Sequence, residues 1–134
     1  MPIASGDTPL IRTDFSDDRA WQVLAEAAAA PNADGFRARL ALVEDRRFEG
    51  ATPEQLAAAA AGTGHACLIV ADAVAIGHAE HPLLCIETAP ARRTFRAIAA
   101  ELWGVENNLS LANMDFEEFA KAAGADGIYR GFPD

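Results

Sequence analysis

Three aspartates, Asp14, Asp45 and Asp72, each stand at or just past the carboxyl end of a segment that reads as a β-strand. In open α/β sheets that rim is where ligands bind, at the point where strand order reverses. Converging there, three carboxylates would hold Mg²⁺ through oxygen, or supply a nucleophile or a general base. Aspartate is equally a common strand-exit and turn residue with no further role, and no lysine or threonine completes a phosphoacceptor set. His65, His78 and His81 cluster in sequence, but a metal site needs them on one face with a further ligand. A loop histidine making a hydrogen bond is the simpler reading. No GxSxG elbow or Ser-His-Asp order is present, and Gly62-Thr63-Gly64 is too short for a phosphate loop and lacks its lysine. The residues imply no metal and no cofactor.

A second constellation lies between Thr94 and Ala123. It gathers Trp103, Met114, Phe95, Phe116 and Phe119 with Asn107, Asn108 and Asn113. Adjacent asparagines are poor mid-helix residues because their amides compete with the backbone for hydrogen bonds. Either they bond internally and pin the turn at Asn113, or they face a partner or ligand beside Trp103, offering donors and acceptors together. Trp103, Asn107, Asn108, Asn113 and Asp115 are therefore the candidate binding residues.

The elements that must position these groups follow from patterning. Pro9 to Phe15 reads as a first strand. Ser16 offers an N-cap, Asp17 and Asp18 place negative charge in a first helical turn, and Trp21, Leu24, Ala25 and Ala28 share a face. Pro31 to Gly35 turns the chain. Phe36 to Glu44 alternates and then becomes apolar, as a second strand. Thr52-Pro53-Glu54-Gln55 is a helix start with Thr as N-cap, Pro at the first position and Gln closing a capping box. That helix runs through Leu56 to Ala61.

Ala66 to Ala71 is apolar without alternation, as a strand covered on both faces should be. Pro82 to Thr88 is a fourth strand. The link from Asp72 to His81 is short for a helical crossover and holds either a brief helical turn or an antiparallel return. Pro90 and Ala91 turn into a fifth strand, Thr94 to Ala99. Glu101 to Leu109 puts Leu102, Val105 and Leu109 on one helical face, although Leu109 to Ala112 also alternates as a short extended piece would. Asp115 to Glu118 is a capping box with Met114 and Phe119 as its hydrophobic staple. A last helix reaches Ala123, and Ile128 to Phe132 lies back on the body. This order predicts one α/β domain over residues 1–134, in two or three layers. Its central sheet is mostly parallel or mixed, with about five strands and three to four helices.

Composition bounds the function. The 51% hydrophobic share includes 31 alanines, so 37 larger apolar residues make an adequate core in a chain of 134. Twenty acidic against eleven basic residues give a net charge of −9, which repels phosphate backbones and anionic membranes. Nucleic-acid and membrane partners are excluded on that ground, and a protein partner or self-association is permitted. Arg37, Arg39, Arg92 and Arg93 on edge strands would discourage open pairing. No apolar run reaches the roughly 18 residues of a membrane span, and the N-terminus has neither the charged nor the apolar region of a signal peptide. Cys67 and Cys85 sit in apolar strands without ligand spacing. The cytoplasm is the expected compartment.

LIRTDFSDDRAW near the start, HPLL in the middle, and FRAIAAELWGVENNLSLANMDFEEFA followed by DGIYRGF together resemble a family of small bacterial proteins known only as a domain of unknown function. The resemblance spans nearly the whole chain and implies a stand-alone domain. It carries no activity, cofactor or catalytic residue. Two functions are expected from the residues: a non-catalytic protein- or ligand-binding module, accessory or regulatory in role, or a small enzyme or metal-binding domain using the Asp14, Asp45 and Asp72 rim.

Overall fold

The computed structural model describes residues 3–88, 93–111 and 113–132. Among these residues six strands form one mixed sheet: β1 (Thr8–Arg12), β2 (Leu40–Val43), β3 (Cys67–Ala71), β4 (Pro82–Glu87), β5 (Thr94–Ile98) and β6 (Ile128–Tyr129), in the spatial order β2-β1-β3-β4-β5-β6. β1 pairs in parallel with both β2 and β3, β4 is antiparallel to β3 and to β5, and β6 runs parallel to β5. Five helices accompany them: α1 (Asp18–Ala29), α2 (Pro53–Ala59), α3 (Ala73–Gly77), α4 (Leu102–Ser110) and α5 (Phe116–Ala122).

The topology follows from β1. Its Leu10 and Ile11 point to opposite faces and both are fully buried, so each face needs a cover. Chain direction supplies it. β2 lies on one side of β1 and β3 on the other, so two parallel crossovers of the same hand place their helices on opposite faces. Accordingly Trp21, Leu24, Ala25 and Ala28 of α1 pack with Leu10, Ile69, Leu83 and Ala97, together with α3, α4 and α5. On the other face Leu56 and Ala60 of α2 and its exit, with Ile3 and Phe48, cover Ile11, Leu68, Val70 and Ile86.

Local chemistry sets the helix ends. α2 carries the full capping box: Gln55 N–H donates to Thr52 Oγ1 at 3.2 Å and Thr52 N–H donates to the Gln55 side chain at 2.9 Å. The Asp115/Glu118 box of α5 is also closed in both directions. α1 begins one residue later than Ser16 implies. Asp17 is its N-cap, accepting from Ala20 N–H, because the Ser16 N–H is turned back onto the Asp14 carboxylate. Both readings of residues 72–81 hold at once: α3 is the brief helix, and the chain then returns antiparallel as β4. His81 makes that return in the left-handed region at φ 50°, its Nδ1 3.0 Å from the Ala75 carbonyl oxygen.

Two elements exceed expectation, α3 and the two-residue β6, while β1 stops at Arg12 rather than Phe15, α2 stops at Ala59 rather than Ala61, and β2 is shorter as well. Strand pairing in the second strand is confined to Leu40–Val43, so Phe36 to Arg39 lead into it. α4 continues to Ser110, leaving no extended piece at Leu109. The turn at Pro90 and Ala91, together with Arg92 and Ala112, lies outside the described residues. The closing segment docks firmly. Phe119 meets Phe95 at a centroid distance of 6.1 Å and Tyr129 at 5.2 Å, and Tyr129 meets Phe132 at 5.3 Å. Gly127, at φ 78°, makes the turn that returns this tail to β5, where Arg96 N–H donates to its carbonyl.

Phe119→Ala, which empties a nearly fully buried ring site, should cost roughly 3–5 kcal/mol of unfolding free energy in a urea titration. A loss below about 1 kcal/mol would show that the closing helix contributes little to the core.

Candidate functional site

The carboxyl ends of β1, β2 and β3 form the rim. Arg12 ends β1 on the α1 face, two residues after Leu10, and is only 1% exposed. A buried guanidinium must be paired. Its Nη2 donates to Asp18 at 2.8 Å, its Nη1 to Glu44 at 3.3 Å and its Nε to the Asp14 carbonyl at 2.9 Å. The rings of Phe15 and Trp21 flank it at 4.5 and 5.6 Å, and Trp21 Nε1 donates to Glu44 at 2.8 Å. One cation thus ties the end of β1 to the start of α1 and the end of β2. Sequence reasoning missed it, although the alternation Leu10–Arg12 assigns both to one buried face.

The three aspartates occupy this rim as local clamps. Asp14 accepts from Ser16 N–H at 2.8 Å, and bonding from Ser16 holds its carboxyl below the usual aspartate range. Asp45 caps a 3-10 turn at Arg46–Phe48 and pairs with Arg47 at 3.0 Å, and that hydrogen bonding lowers its pKa. Asp72 caps α3 and grips Arg96 through both oxygens at 2.7 and 3.0 Å. Asp14 and Asp72 do share a shallow depression of about 500 Å³ between the ends of β1 and β3. Asp45, past the end of β2, is not in its lining. Among the described residues, no three His, Cys, Asp or Glu side chains are grouped to hold an ion. A carboxylate kept ionised by its own loop is a poor proton acceptor. The histidines are likewise bonded locally: His65 donates to the Ala4 carbonyl and His78 accepts from Glu80 N–H. Cys67 beside it and complete burial push the Cys85 thiol well above its ordinary value, which leaves it inert.

The asparagine segment divides. Asn108 turns inward: its amide donates to the Gly104 carbonyl at 2.7 Å, and its own carbonyl accepts from Asn113 N–H at 2.9 Å. It pins the turn at Asn113. Asp115 accepts in the capping box of α5. Asn107 and Trp103 instead reach toward the chain entering β2. Asn107 donates to the Arg37 carbonyl at 2.8 Å, and Trp103 stacks on Phe36 at 6.0 Å and 18°. Asn107 and Phe36 form one wall of an open groove of about 670 Å³, lined further by Arg37, Arg39, Leu40 and Leu42, and Trp103 adjoins it only through its stack on Phe36. Phe36 and Leu42 are each 56% exposed there.

Behind that wall lies the other group missed from sequence. Glu106 is buried and accepts from Arg39 N–H at 2.6 Å, from Thr8 Oγ1 at 3.0 Å and from the Ser110 hydroxyl. Four residues after Leu102, it lies on the helical face turned to the core. Its carboxylate joins α4, the start of β1 and the approach to β2.

A model of the family described as a domain of unknown function (DUF6924) matches residues 7–132. The chain belongs to that family. The match takes in every element of the sheet, from β1 to β6, so the groove and the carboxylate rim both lie within the DUF6924 domain. No curated protein matches the chain.

Asp14→Ala should lower stability at neutral pH. Because the folded pKa of Asp14 is depressed, its contribution is present above the ordinary carboxylate value and is lost as pH falls through the folded one. Melting curves of parent and variant should therefore converge in acid, and a gap that persists unchanged there would refute the clamp. Glu106→Ala strips the Arg39 N–H and the buried Thr8 hydroxyl of their acceptor and should cost about 2–4 kcal/mol in denaturant titration.

Proposed function

We propose that the chain is a non-catalytic protein-binding module of the cytoplasm, accessory or regulatory in role, whose contact surface is the groove beside β2. One observation carries this reading. The outer sheet edge is the uncharged sequence Leu-Ala-Leu-Val, and Leu42 on it is more than half exposed beside the Phe36–Trp103 stack. Sheet edges are ordinarily blunted by charge, proline or a cover. Arg37 and Arg39, which would discourage pairing, lie ahead of the strand rather than on it. An open edge with side-chain pockets beside it is the arrangement by which an added strand binds, through backbone hydrogen bonds for affinity and the pockets for specificity. Phe36 and Asn107 supply an aromatic and an amide to that surface, with Trp103 stacked on Phe36. The net charge of −9 turns the preference toward protein rather than nucleic acid or an anionic membrane.

The carboxylate rim supports an enzyme less well, since the Asp14 carboxylate is committed to the Ser16 N–H and Asp45 and Asp72 each to a cap and an arginine. No helix of the described residues is long and apolar enough to cross a membrane.

A tagged chain expressed beside an untagged copy should recover partners that Leu42→Lys and Phe36→Ala variants lose. Both variants should melt close to the parent, as exposed substitutions shift stability by only about 0.5 kcal/mol. Equal recovery by parent and variants would remove the groove from consideration.

A further inference from the structure

We propose that the occupant of the β2 edge is a second copy of this chain, paired antiparallel through β2 about a two-fold axis at Ala41. The proposal rests on the groove reading above and adds its partner. Thr8 N–H donates to the Arg39 carbonyl while Thr8 pairs with Leu40. In a parallel ladder this turns the backbone groups of Arg39, Ala41 and Val43 toward β1 and those of Leu40 and Leu42 outward. Among the described residues the outward groups have no neighbouring strand, since β2 ends the sheet.

Two copies satisfy them in one register. Leu40 exchanges both backbone hydrogen bonds with the partner's Leu42, and Leu42 does so with the partner's Leu40. The two Ala41 residues then face each other as the closely spaced, non-bonded pair. An isologous contact of this kind needs only one self-complementary patch. The four leucines meet on the α1 face, where Leu40 already packs against the core and Leu42 is exposed.

Charge fits the same register. Arg37 and Arg39 are exposed and, among the described residues, neither forms an ion pair. Continued along the chain, the pairing sets Arg37 opposite the partner's Asp45, with Arg39 on its diagonal. Asp45 takes three hydrogen bonds from Arg47, and a carboxylate has about four acceptor sites. Each copy carries −9, but at physiological salt that repulsion is screened beyond about 8 Å, whereas these pairs would sit in contact. A contact built on one short strand should be weak, so it should appear only as concentration rises.

Sedimentation of the parent from about 5 to 500 µM should show its mass rising toward twice that of the chain, while Leu42→Lys stays monomeric throughout. Ala41→Cys should cross-link to a covalent dimer under mild oxidation, as facing non-bonded residues allow. Arg39→Cys, opposite the partner's Val43, should not; the native Cys67 and Cys85 are buried and do not compete. A parent that remains monomeric overturns the proposal, as does a dimer in which both cysteine variants cross-link alike. A monomer whose partner capture is still lost in Leu42→Lys overturns the second copy alone and leaves the groove reading standing. A monomer without such capture overturns both.

Discussion

Everything in this domain hangs on covering both faces of one short strand. β1 places Leu10 against α1 and Ile11 against α2 with no exposed surface on either. Burial on two sides requires helices on two sides, and with crossovers of one hand that requires β2 and β3 to flank β1. The arrangement then exhausts the parallel part of the sheet. β2 is left at the margin, with α1 and α2 drawn toward the centre, and half of its short length stays open. The site proposed for binding is thus a by-product of how the core is closed.

The same strand explains the polar interior. Arg12 continues the buried face of Leu10, and its charge is met by Asp18, Glu44 and the Asp14 carbonyl, each from a different segment. At the other end of β1, Thr8 joins Arg39 and Ser110 around Glu106. Two charged groups of opposite sign, one at each end of β1, fix where α1 starts and where the approach to β2 meets α4. Their value lies in placement, because a buried charge tolerates only geometries that keep it bonded.

The candidate residues separate along this line. Asn108 and Asp115 serve the turn and the cap that residue type alone suggested, because both bonds are local. Trp103 and Asn107 could not be assigned a neighbour from sequence, since Phe36 and Arg37 lie some seventy residues away along the chain. The aspartates were correctly placed at strand ends, yet their partners were not all legible. The bonds from Asp14 to Ser16 and from Asp45 to Arg47 are two residues long, whereas Arg96 reaches Asp72 only because β4 and β5 fold back beside β3.

By itself the sequence determined what depends on near neighbours: the capping boxes at Thr52 and Asp115, the apolar runs of β1, β3, β4 and β5, and an α/β layering about a central sheet that it left as either mostly parallel or mixed. Short-range periodicity and capping act within a few residues and need no knowledge of the rest. Strand order, the burial of Arg12 and Glu106, and the exposure of Leu42 were decided only in three dimensions. Each turns on which distant segment arrives beside it, and Leu42, in a run that reads as core, is surface because, among the described residues, no strand lies beyond β2 in the sheet.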